Sequence, residues 1–154
     1  MSNQVKPIPD GQESVTPYLG VSDAVSAIEF YKKGFGAIEL YRLPDPSGKI
    51  AHAEIKIGNA AVMLADEHPD HGHFSPKSLN GSPVALHIYV EDVDAFISRA
   101  VGAGAKILQP VEDQFYGDRS GKIEDPFGHL WMISTHKENV TPEEIQQRFA
   151  AFFQ

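Results

Sequence analysis

No cysteine occurs among the 154 residues, which excludes disulfides, thiolate-held metals and a cysteine nucleophile together. Basic clusters are missing as well: 13 Lys and Arg stand against 21 Asp and Glu, for a formal net charge of −8. Binding to nucleic acid or to an anionic membrane surface is driven by grouped Lys and Arg, so neither partner is expected. No apolar run approaches the ~20 residues of a membrane span, and the N-terminus carries no signal-peptide core. A Gly-x-Ser-x-Gly elbow and a Gly-rich phosphate loop are both absent. What is left, with 42% hydrophobic and 22% charged residues, fits one soluble, cytoplasmic domain with a core of useful size.

The clearest pattern is V-A-L-H-I-Y-V at 84–90. Val84, Leu86, Ile88 and Val90 make one apolar row, and Ala85, His87 and Tyr89 make the other. Successive strand residues point to opposite faces, so the first row packs on a core and the second can line a cavity. A helix start follows, with Asp92 as cap and Val93, Phe96, Ile97, Ala100 and Val101 at helical spacing, until Gly102 and Gly104 end it.

The same unit occurs earlier. Residues 1–14 read as a flexible arm, 15–21 as a strand with Pro17 unsuited to a ladder paired on both edges, and Ser22 or Asp23 as a cap for a helix ending at Gly34 and Gly36. Strands are expected at 38–43, 50–57 and 60–65, the last two joined by Gly58-Asn59. Residues 67–83, with His68, His71 and His73, have no period and read as an inter-module linker, its histidines as solvated loop residues. After the second helix come a strand at 105–109, a long loop, a further strand, a turn at Pro126-Phe127-Gly128 and a strand at 129–134. Thr141-Pro142-Glu143-Glu144 opens a C-terminal helix in 137–154, whose Ile145, Phe149 and Phe152 must cover the domain itself or a second subunit.

Val21 and Val90 lie 69 residues apart, Gly34 and Gly102 68, and Gly48-Lys49-Ile50 and Gly121-Lys122-Ile123 73. Residues 15–66 and 84–136 are therefore two βαβββ modules. With the helix A-I-E-F-Y-K-K-G-F-G (27–36), the hairpin E-D-P-F-G-H (124–129) and the stretches H-A-E-I-K-I-G and Q-F-Y-G-D-R, this doubled pattern resembles the vicinal oxygen chelate superfamily of glyoxalases, bleomycin-resistance proteins and dioxygenases. The wording is most similar to its PhnB-like, glyoxalase-related branch. The resemblance implies an α+β fold of two modules in a half-open, eight-stranded mixed barrel around a small-molecule site, here with an added C-terminal helix, and a homodimer.

The superfamily normally holds one divalent ion on four strands. Carried over, its ligand positions fall on Thr16, Leu64, Ala85 and Met132, none of which grips such an ion. No metal and no other cofactor is therefore expected; the trio His52, Glu54 and His87 is the remaining way to build a metal site. The first reading is a small-molecule-binding protein with a cavity lined by Thr16, Tyr18, His52, Leu64, Ala85, His87 and Met132, and with Tyr116 and Arg119 at its mouth. The alternative is a glyoxalase-like lyase or isomerase using His87 with Glu54 or Tyr18 for proton transfer, with or without a divalent ion. Trp131 shares a face with Ile133 and is expected beneath a helix.

Overall fold

The computed structural model describes residues 4–154, so the first three residues of the expected arm lie outside the described residues. The chain divides into two compact units, Met1–Gly81 and Ser82–Gln154.

The first unit runs β1 (Tyr18–Val21), α1 (Ala24–Phe35), β2 (Ile38–Pro44), β3 (Ile50–Ile57) and β4 (Ala60–Asp66), in sheet order β1-β4-β3-β2. β1 pairs parallel to β4 and the remaining pairs are antiparallel. Pro17 is tolerated because β1 is an edge strand that begins just after it, while its carbonyl still accepts from Met63 N at 2.9 Å. Asp23 caps α1 by accepting from Ser26 N at 3.1 Å, and Gly36 ends it at φ 68°. The buried stripe Ala24, Ala27, Ile28, Tyr31 and Phe35 covers one face of the sheet, made of Leu19, Val21, Ala53, Ile55, Val62 and Leu64. Asp66 at the end of β4 ties the unit together, accepting from Ala24 N at 2.9 Å and from Ile50 N at 2.7 Å.

Residues 67–81 are more ordered than an aperiodic sequence leads one to expect. A 3-10 turn (Pro69–His71) and α2 (Pro76–Leu79) fold back beside β1, fastened by the Glu67 carboxylate, which accepts from Ser75 Oγ at 2.9 Å and Ser78 Oγ at 2.6 Å. The close approach is made possible by Gly20: a Cβ there would lie 2.1 Å from the Phe74 carbonyl oxygen. Polar side chains bonding to neighbouring backbone replace the hydrophobic period that marks a helix or strand, so the stretch looks structureless in one dimension.

The second unit repeats the plan: β5 (Ala85–Tyr89), α3 (Val93–Ala103), β6 (Lys106–Asp113), β7 (Asp118–Glu124) and β8 (Leu130–His136), in order β5-β8-β7-β6. Asp92 caps α3, and Thr135 Oγ1 accepts from Val93 N at 2.9 Å, the place held by Asp66 in the first unit. The expected long loop after residue 109 is mostly strand. β6 continues to Asp113 past Pro110, because an edge strand with a register shift between Gln109 and Glu112 needs no N–H there. The turn that follows places Gly117 (φ 101°) 69 residues after Gly48 (φ 90°), so the repeat keeps its spacing and Gly121 is not the counterpart of Gly48. Gly121 instead lies within β7 against α3, where a Cβ would be 2.8 Å from Ile97 Cδ1.

α4 (Pro142–Ala150) has the expected cap, Thr141 Oγ1 accepting from Glu144 N at 3.2 Å. Its Phe149 ring, and Phe152 just beyond it, lie 5.7 and 5.4 Å from Phe115 of the β6–β7 turn, while Phe152 and Phe153 stay exposed. The architecture is α+β: two four-stranded mixed sheets, neither closed on itself, with a C-terminal helix. Among the described residues no helix is long and apolar enough to cross a membrane.

Candidate functional site

Each sheet has one face covered by its helix and one free of it. In the first unit the helix-free face is set by the register Tyr18–Met63–Glu54–Tyr41 across β1, β4, β3 and β2. His52 is two residues from Glu54 and shares this face. In the second unit the matching row is His87–Met132–Lys122–Gln109 across β5, β8, β7 and β6. Tyr18 and His87, like Met63 and Met132, are 69 residues apart, so the duplication extends to the side chains that face away from the helices.

On the first of these faces Tyr18 Oη lies 2.7 Å from His52 Nδ1. Partial burial, with Tyr41 adding to it, pushes the Tyr18 phenol above its ordinary range. The phenol therefore keeps its proton, and the direction of its bond with His52 follows the imidazole tautomer. The Tyr18 ring also meets His73 edge-on at 5.3 Å, and His73 Nε2 is buried with no hydrogen-bond partner among the described residues. Glu54 is 8% exposed; its carboxylate accepts from Gln12 Nε2, and Gln12 Oε1 accepts from Thr16 Oγ1 at 2.9 Å. The chain just ahead of β1 thus lies over Glu54.

On the second face His87 Nε2 lies 2.7 Å from Ser134 Oγ, which donates to Ser120 Oγ at 2.9 Å. Ser134 and Ser120 are buried, so the imidazole is held by a polar chain set into the sheet and stacks on Tyr89 at 4.7 Å. The hydroxyls of Ser134 and Ser120 can each donate or accept, so this chain can serve either tautomer of His87. Tyr89 Oη donates to Asp118 Oδ2 at 2.8 Å, and His136 Nδ1 is 2.8 Å from Asp118 Oδ1. Hydrogen bonds to Asp118, then Asn139, hold the His136 pKa above the ordinary imidazole value. A raised histidine pKa stabilises the fold fully below the unfolded value and loses that contribution as pH rises through the folded one. We expect an NMR titration of His136 with its midpoint above that of a free imidazole, and Asp118→Asn to lower it; a midpoint indifferent to that change would contradict the assignment.

The structure brings Tyr18, His52 and Glu54 onto one face of the first unit, with Thr16 reaching it through Gln12. Ala85, His87 and Met132 share the helix-free face of the second, and Tyr116 lies near enough to Tyr89 to act on its phenol. Leu64 and Arg119 are placed elsewhere. Leu64 is fully buried on the α1 side, and Met63 takes the helix-free position. Arg119 is on the α3 side of β7, paired with Asp94 at 2.8 Å and Asp113 at 3.2 Å. Met63, Tyr41, Lys122, Ser120 and Ser134 were not singled out from sequence. Period two in D-R-S-G-K-I-E carried the signal for Lys122, whereas Met63 stands between two aliphatic residues and has no alternation to mark it.

The superfamily's divalent ion can be tested against these donors. Thr16 is engaged with Gln12, Ala85 has no donor, and Met63 and Met132 offer only soft thioethers. Among the described residues no three His, Asp or Glu side chains are grouped to hold an ion. The donor set does not fit the ion.

Two βαβββ units, each with a thioether and polar rings on the face its helix leaves bare, define a duplicated-module α+β fold. The chain belongs to the Glyoxalase/Bleomycin resistance protein/Dioxygenase superfamily, whose family model matches residues 13–133. An uncharacterised Mycobacterium tuberculosis protein is 45% identical over 138 residues, covering 88% of this chain and 81% of that one. TioX from Micromonospora sp. ML1 is similar in structure, with TM-score 0.66, 28% identity and coverage of 80% of this chain and 98% of that one. FosX of Listeria monocytogenes, a fosfomycin resistance protein solved with Mn(II) and sulfate, shares the fold at 20% identity and TM-score 0.61, covering 89% of this chain and 97% of that one.

Proposed function

We propose that this is a cytoplasmic small-molecule-binding protein that takes its ligand on the helix-free sheet faces without the superfamily's metal. The observation that carries the reading is the row His87–Met132–Lys122. A histidine fixed through Ser134 and Ser120, a pliable thioether and a half-buried lysine with no ion-pair partner among the described residues stand side by side. Ligand sites combine apolar contact with a few placed polar groups in this way. The reading includes a homodimer, in keeping with the exposed Phe152 and Phe153 rings, and light scattering on the purified chain measures it.

A thermal-shift screen tests the reading. A ligand at a hundredfold excess over its dissociation constant adds about 2.7 kcal/mol, which for a chain of this size raises Tm by about 5–10 °C. His87→Ala should weaken such a ligand roughly tenfold, the worth of one good hydrogen bond with its ring contact. Hits with affinities indifferent to His87→Ala and Lys122→Ala would place the site elsewhere.

A second reading, proton-transfer catalysis of the lyase or isomerase kind, is favoured by the direct 2.7 Å contact of Tyr18 Oη with His52 Nδ1. The other proposed partners, His87 and Glu54, bond within their own units to Ser134 and Gln12. Tyr18→Phe abolishing turnover while sparing ligand affinity would favour this reading over simple binding.

A further inference from the structure

We infer that Glu54 is the anchor for a protonated amine on the ligand, and that the Gln12 amide occupies that place when no ligand is bound. The inference rests on the ligand-binding reading above and gives the ligand a chemical class. Glu54 is a carboxylate 8% exposed in the middle of a sheet face, and its one hydrogen bond among the described residues comes from a neutral amide. No Lys or Arg among the described residues forms an ion pair with it; Lys56, two residues along the same face, is exposed. An ionised carboxylate kept from water without a cation is costly, and such groups are ordinarily paired.

The surroundings fit a cation rather than a metal. Tyr41 is directly opposite Glu54 on β2, Tyr18 lies beyond Met63 on β1, and His52 is on the same strand, its ring 5.3 Å from Tyr18 and 5.7 Å from Tyr41. Aromatic rings grouped beside a carboxylate favour an organic ammonium group. Gln12 Nε2 already presents an N–H to Glu54 Oε1, as an ammonium would, but without charge. Gln12 comes from the segment before β1, where its side-chain oxygen accepts from Thr16 Oγ1 and its backbone N–H donates to Pro9 O at 3.1 Å, so exchanging its side-chain amide for a ligand N–H disturbs no strand pairing. The second unit carries Lys122 at the equivalent position of its own sheet, a charge of opposite sign.

The test uses the full chain and two probes of matched shape at neutral pH, benzylammonium and benzyl alcohol, each followed by amide NMR shifts. Benzylammonium is expected to move the resonances of Tyr18, Tyr41, His52 and Glu54 and to bind roughly tenfold tighter than the alcohol. Glu54→Gln should erase that difference. Gln12→Ala should tighten benzylammonium binding severalfold by removing its competitor. Equal binding of the two probes, no perturbation of this face, or indifference to both substitutions overturns the inference. Those results leave the ligand-binding reading standing if the thermal-shift screen yields ligands that depend on His87; an empty screen removes that reading separately.

Discussion

Trp131→Ala is expected to lower the unfolding free energy by about 3–5 kcal/mol, a large share of the roughly 5–15 kcal/mol that holds a domain of this kind. Trp131 is 2% exposed on the α3 side of β8, in register with Leu86 and Ile123, and its Nε1 donates to Asp125 Oδ2 at 2.9 Å. The same carboxylate accepts from Phe127 N and His129 N, so the indole links the β7–β8 turn to the core. Truncation leaves a cavity and releases one arm of that link. Trp131→Phe, which keeps most of the apolar area and loses only the N–H, should cost much less. Because the chain has one tryptophan, urea unfolding has to be followed by far-ultraviolet circular dichroism. A midpoint near the wild-type value for the alanine variant would mean that Trp131 is not the centre of this core.

Asp66→Ala should remove about 2–4 kcal/mol, because two backbone donors lose their acceptor together. Ala24 N and Ile50 N both point at the Asp66 carboxylate, and both residues are buried, at 0% and 2% exposure. An orphaned buried N–H costs more than an ordinary hydrogen bond is worth, since water cannot replace the lost partner. Thr135 Oγ1 in the second unit accepts from one backbone amide, Val93 N at the helix start, and donates to the Val90 carbonyl. Asp66→Thr should therefore keep the Ala24 bond and recover about half the loss. Hydrogen exchange read at Ala24 and Ile50 separates the two bonds: both amides should speed up in the alanine variant, and Ile50 alone in the threonine one. Exchange unchanged at Ile50 would show that the second bond carries no weight.

The repeat, the helix caps and the α+β class follow from the chain's own pattern. Asp23, Asp92 and Thr141 act on backbone within three residues, and the apolar stripes of α1 and α3 need only a 3.6-residue period. The positions of His87, His52 and Glu54 on helix-free faces were also legible, because period-two alternation is strong in β3 and β5.

Tertiary structure alone decided the register of β4 and β7, and with it which residues reach those faces. β4 reads A-A-V-M-L-A-D with no polar mark on either side, so whether Leu64 or Met63 faces away from α1 depends on which one pairs beside Tyr18 or Leu19. A shift of one residue reverses every side chain in a strand, and nothing local resists it. Arg119 is on the α3 side for the same reason, with Asp94 and Asp113 brought to it from another element and another strand. Contacts between residues distant in sequence, such as Gln12 with Glu54 and His87 with Ser134, are settled by packing, which local spacing does not encode.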